Sequence, residues 1–299
     1  MWDAGNYFMK KKIKECNFNY LLKTGAVIFC CTMFIFVIIA VYYTDKLNNL
    51  SRFDSTNNYF LLVFVSLLIA PIFEELSFRG YFTNSFLLKI ITLIGCPIYI
   101  FITDNYYLYF LFFVLVMLHF VSKIDRIYVF VIHSILFSLV HYKFSDFHSI
   151  FTVIPMFFQF SVGLILIWIV LNFNLLRAII VHFLFNLFFI TILTIPLQFP
   201  DQNQNHINYL GYDIEWRKTP ILTTTNTFIS RPDEYTITAE NTDLITFCKA
   251  FDFSTADLIV KDNNVHSKFI INIKRIDSSA NKLDGKSVIL ILKKMNLIE

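Results

Sequence analysis

Charge is what this 299-residue chain has least of: only 16% of its residues are Asp, Glu, Lys or Arg, against roughly 25% in a soluble domain. Glycine and proline are scarce too, seven of each, and no repeat or low-complexity segment breaks the chain. The five cysteines, Cys16, Cys30, Cys31, Cys96 and Cys248, have no C-x-x-C spacing. That excludes a disulfide framework and reads as free thiols. The net charge of +3, with no concentrated basic patch after the first two dozen residues, argues against a nucleic-acid partner. What fills the chain is apolar: 56% hydrophobic and 18% aromatic residues, with a mean hydropathy of +0.60. Such a balance belongs to an integral membrane protein rather than to a globular domain with a large core.

A transmembrane helix needs about 20 mainly apolar residues. Seven segments approach that, at 25–43, 58–76, 86–103, 106–122, 127–144, 149–173 and 177–198. The first has no small-residue cleavage site and reads as an anchor. The lysines before it, Lys10, Lys11, Lys12, Lys14 and Lys23, place the N-terminus in the cytoplasm by the positive-inside bias. After Pro200 the chain turns polar. Lys268–Ile276 and Lys286–Met295 read as two strands joined through Asp284-Gly285, and Asn241–Phe251 as a short helix capped by Asn241 or Thr242. The expected fold is therefore an all-α polytopic membrane bundle of about seven transmembrane helices with a small C-terminal soluble α+β domain. Its parts are a cytoplasmic basic N-terminus (1–24), a first anchor and loop (25–57), a membrane core (58–200) and the polar domain (201–299). A composition rich in Lys, Asn, Ile and Phe points to a bacterial inner membrane. The sequence leaves the oligomeric state open.

Between residues 57 and 200 there are five acids: Glu74, Glu75, Asp104, Asp125 and Asp146. The three aspartates fall in predicted loops, so Glu74 and Glu75 are the acids that sit beside a span. A carboxylate in hydrocarbon costs several kcal/mol, and such residues face the bundle interior or a wet cavity. Arg79 follows Glu75 by four residues, on the same helical face and in the favourable acid-first order. Taken alone, the pair also fits a wet helix end. His141 closes the stretch FSLVH (137–141), and His182 opens HFLFN (182–186), with Asn186 one turn on and on the same face. Because isolation in lipid is costly, polar groups on three apolar segments are expected to gather into one cluster of carboxylate, imidazole and amide. His133, His119 and His148 read as structural or interfacial.

EELSFR (74–79), FSLVH and HFLFN fit E-E-x-x-x-R, F-x-x-x-H and H-x-x-x-N, in that order and each on a separate span. Together they resemble the CPBP family of intramembrane proteases, which includes the type II CAAX prenyl endopeptidases and bacterial abortive-infection proteins. The resemblance covers about residues 58–198. It implies an intramembrane endopeptidase that acts on a membrane-associated peptide, prenylated or bacteriocin-like. It makes Glu74 the base that activates water, His141 its partner, and His182 and Asn186 the donors to the oxyanion. Glu75 and Arg79 would hold the site's geometry and charge. The partners it implies are membrane lipid and a peptide or lipidated-peptide substrate.

The same side chains admit two chemistries. Without a cofactor, Glu74 works on water directly. With zinc, Glu74, Glu75, His141 and His182 would form the ligand set; the absence of an H-E-x-x-H pair and the presence of Asn186 favour the metal-free form. Two other classes carry the same cluster: a non-catalytic immunity or partner-binding membrane protein, and a proton-coupled transporter. The lack of an inverted repeat counts against the last.

Overall fold

The computed structural model describes residues 18–42, 59–120, 126–143, 150–201, 203–223, 226–251, 260, 266–278 and 280–298. Lys10, Lys11, Lys12, Lys14, Cys16, the loop 45–57, Asp125, Asp146 and His148 lie outside the described residues, as does the side chain of His119.

All seven apolar segments form helices, and four of these are long and apolar enough to cross a membrane: Asn19–Ile38, Tyr59–Phe82, Val153–Asn172 and Leu175–Gln198. The other three are shorter than the expected spans: α4 (Phe86–Ile102) has 17 residues, α5 (Leu108–Phe120) 13 and α6 (Arg126–Leu139) 14. At 1.5 Å per residue they reach roughly 20–26 Å, less than the hydrocarbon thickness of about 30 Å. The expectation of seven full crossings thus reduces, among the described residues, to four by length and composition. The break between α4 and α5 is built in. Asp104 takes the left-handed conformation with φ 56°, and buried Asn105 donates its Nδ2 to Val140 O at 2.8 Å.

The remaining membrane helices are α1 (Asn19–Tyr42), α2 (Tyr59–Phe64), α3 (Ala70–Arg79), α7 (Ile150–Asn172) and α8 (Leu175–Gln198). A π-helical turn, Val65–Ile69, joins α2 to α3. Contacts divide the chain into two units, one holding α1 with Val65–Asn186, the other holding α2 with Leu187 onwards. In the first, α1 runs along α7, α6 packs on α7, α5 on α6 and α3 on α4. Two glycines let helices pack closely on α7. A Cβ at Gly25 would meet Ile165 Cγ1 at 2.9 Å, and one at Gly163 would meet Ser134 Cβ at 3.1 Å. An apolar cluster of Phe78, Cys96, Ile100, Leu108, Leu136 and Phe137 fills the space among α3, α4, α5 and α6. Another, of Val162, Leu166, Ile169, Leu175 and Ala178, fixes the start of α8 on α7.

The second unit contains a five-stranded antiparallel sheet in the order β1-β2-β5-β4-β3. Its strands are β1 (Asn205–Tyr209), β2 (Tyr212–Thr219), β3 (Phe228–Asp233), β4 (Thr236–Thr242) and β5 (Lys268–Arg275). Ile214, Ile273 and Ile237 stand in register across the three central strands, and all are fully buried. Leu210 and Gly211 both have positive φ, 54° and 78°, the backbone of a two-residue I′ hairpin.

Two expectations are corrected here. Residues 286–295 are not a strand, because α10 (Gly285–Lys294) is a helix that opens on Asp284, whose side chain accepts from Ser287 N. The run is apolar at Val288, Ile291, Leu292 and Met295, a spacing of three, four and seven, and these four are its buried face on the sheet. The short helix α9 (Leu244–Lys249) is capped by Asp243 rather than by Asn241 or Thr242. Ile291 has no exposed surface, so Ile291→Ala is expected to cost about 2–5 kcal/mol. Hydrogen exchange should then rise across the β5 amides of the intact protein, and unchanged protection there would contradict the packing of α10.

Candidate active site

Adjacent residues on an α-helix point about 100° apart, so Glu74 and Glu75 leave α3 in different directions. The structure separates them. Glu75 is fully buried, and its Oε1 accepts from Arg79 NH1 at 2.8 Å and from His182 Nδ1 at 2.8 Å. The guanidinium of Arg79 lies 3.7 Å over the ring of Phe137. That ring meets the imidazoles of His141 and His182 edge-on, with centroids 4.8 and 6.1 Å away. One aromatic ring is thus a wall shared by all three motif helices.

Glu74 takes the other direction, also buried. Its Oε1 accepts from the Tyr99 hydroxyl at 2.7 Å. Its Oε2 lies 3.4 Å from His141 Nε2 and 3.7 Å from His182 Nε2 and makes no hydrogen bond among the described residues. The tautomers follow from the partners. His141 Nδ1 lies 2.6 Å from Phe137 O; a carbonyl only accepts, so Nδ1 carries a proton and donates. His182 Nδ1 likewise donates to the Glu75 carboxylate. With both imidazoles neutral, each Nε2 turns a lone pair toward Glu74 Oε2.

Asn186 is one turn beyond His182 on α8 and donates Nδ2 to Ser66 O at 2.8 Å. That carbonyl sits in the π turn, where backbone bonding runs from residue i to i+5. The i+5 partner of Ser66 is Pro71, which has no N–H. Asn186 supplies the donor that proline lacks, and its second amide N–H remains for another acceptor.

Of the expected site residues, Glu74, Glu75, Arg79, His141 and His182 are joined directly by these contacts, and Asn186 joins through the π turn that leads into α3. His133 is placed elsewhere, buried against Phe82 and Tyr81 with ring centroids 4.7 and 6.3 Å away. His206 pairs with Asp213 on β1 and β2. Sequence reasoning missed Tyr99 and the role of Phe137, although Phe137 opens the motif that ends in His141. It also missed Ser66, for which Pro71 five residues on was the available signal.

Zinc would require an inward-facing donor set. Glu75 Oε1 is committed to Arg79 and to the far nitrogen of His182, so the four-residue set does not close. Among the described residues no group of three or more His, Cys, Asp or Glu is arranged to hold a metal ion.

Long apolar helices around a buried carboxylate–imidazole cluster define an integral membrane protein with a polar site inside its helical unit. The family model of the type II CAAX prenyl endopeptidases, Rce1-like, matches residues 56–188. The matched stretch, a little under half of the chain, is similar to that family of peptidases and includes all six site residues. The sheet domain lies outside it. No curated protein and no solved structure matches the chain.

Proposed function

We propose that the protein is an intramembrane endopeptidase that hydrolyses a peptide bond of a membrane-held substrate, with Glu74 as the base. The observation that carries this reading is the unpartnered Glu74 Oε2, facing His141 Nε2 and His182 Nε2 at 3.4 and 3.7 Å. A water between these atoms gives one proton to Glu74 Oε2 as its oxygen attacks the scissile carbonyl carbon. His141, its Nδ1 tied to the Phe137 carbonyl, holds that water by Nε2. The carbonyl becomes a tetrahedral oxyanion. The free N–H of Asn186 donates to it, a role in which one donor is typically worth 10²–10³ in kcat. When the C–N bond breaks, the proton on Glu74 passes to the leaving amine, and water has been divided between the two products. No metal enters this scheme. Glu75 and Arg79 set the orientation of His182.

A prenylated C-terminal peptide is the substrate class to try first, because the matched family is one of CAAX prenyl endopeptidases. An unmodified apolar peptide is the second. The test uses the full-length protein in liposomes, a farnesylated peptide and its unprenylated twin, and mass detection of the released fragment. Cleavage is expected to persist unchanged in a chelator such as EDTA and to fall roughly 10²–10⁴-fold in His141→Ala. If neither peptide is cut, or if cutting survives His141→Ala intact, the proposal fails. Loss of activity in chelator, restored by zinc, would overturn the metal-free scheme.

A further inference from the structure

A carboxylate on a glutamate turns about a torsion that is broad and two-fold, so its two oxygens exchange places easily. In the proposed chemistry only one of them faces the histidines. Something must hold the carboxylate plane so that one oxygen stays aimed at the histidines, and on α4 something does. The Tyr99 hydroxyl donates to Glu74 Oε1 at 2.7 Å, and its ring is held edge-on against buried Phe78, centroids 5.6 Å apart. The helix is anchored two residues earlier, where the Tyr109 hydroxyl donates to Pro97 O at 3.0 Å.

We propose that Tyr99 is a positioning residue for the base: it engages Oε1 of Glu74 and thereby leaves Oε2 as the oxygen that faces His141 and His182. The inference rests on the reading of Glu74 as the base and extends it to a helix that bears none of the three motifs. A hydrogen bond from a neutral donor to a carboxylate is charge-assisted and strengthened by burial. Without it the carboxylate samples rotations in which neither oxygen is aimed at the water. Substrate contacts are not involved, so the effect falls on kcat.

Tyr99→Phe keeps the ring and removes one oxygen. It is expected to lower kcat roughly 10- to 100-fold while KM stays within about twofold, as for a contact that matters only to the chemical step. Tyr109→Phe, which removes a hydroxyl donated to backbone on the same helix, is the control and leaves both parameters near wild type. A second readout needs no substrate. The infrared carboxylate stretch should shift between wild type and Tyr99→Phe, and the shift should vanish when both are compared in a Glu74→Gln background. A Tyr99→Phe enzyme with unchanged kcat, or an infrared shift that survives Glu74→Gln, overturns the inference. The two readings fail differently: an active Glu74→Gln enzyme removes the base and this role with it, whereas a dead Glu74→Gln beside a fully active Tyr99→Phe removes this role alone.

Discussion

Glu74→Gln is expected to lower kcat for peptide hydrolysis roughly 10²–10⁴-fold, the range in which a positioned base contributes, with insertion and thermal unfolding close to wild type. The substitution is nearly isosteric. The amide oxygen can still accept from Tyr99, and the amide nitrogen can donate toward the two imidazole Nε2 atoms that Oε2 faced at 3.4 and 3.7 Å. Packing is therefore retained while the proton acceptor for water is lost. A structural role for Glu74 predicts the reverse pattern, a less stable protein with undiminished turnover. Peptide cleavage within tenfold of wild type by a well-folded Glu74→Gln enzyme would contradict the assignment.

The second large effect concerns stability. Arg79→Ala is expected to destabilise by about 3–5 kcal/mol, the range for removing one member of a buried ion pair. Arg79 is 1% exposed and Glu75 0%, so the substitution leaves a carboxylate in the interior with only His182 to donate to it. It also strips the cation from the face of Phe137, where the guanidinium lies at 3.7 Å. Arg79→Lys is expected to recover little, because an ammonium lacks the planar face that stacks on the ring. The double variant Arg79→Met with Glu75→Gln should be more stable than Arg79→Ala, since no unpaired charge is left behind. Unfolding midpoints in detergent provide the measurement. Equal midpoints for wild type and Arg79→Ala would show that the pair does not hold this part of the fold.

The motif residues were legible because acids are so rare in the membrane segments that two adjacent ones demand an explanation. His141 and His182 were legible by the same logic once the spans were drawn. Tyr99 was not. It is one of 15 tyrosines, most of them in apolar surroundings where a phenol is ordinary, and nothing local marks the one whose hydroxyl reaches a carboxylate 25 residues away. Asn186 was legible as a polar residue on the face of His182, but its bond to Ser66 depends on a π turn that no hydropathy pattern reports. In the C-terminal domain the error has a plain cause. Asp-Gly is both a hairpin turn and a helix start, and Val, Ile and Leu suit either element. The three-four-seven spacing of Val288, Ile291, Leu292 and Met295 distinguished them and was outweighed by β-propensity. The short helices α4, α5 and α6 were legible as apolar runs; the lengths of α4 and α5 depended on where Asp104 and Asn105 interrupted them.

Phe137 stands in a different light from the polar residues around it. Its ring lies under Arg79 and meets both His141 and His182 at its edges, and its carbonyl fixes the tautomer of His141. The three sequence signatures are thus three readings of a single keystone. A change in the size of that ring would be felt by all of them together, so substitutions at the guanidinium and the two imidazoles would be coupled in their effects rather than independent.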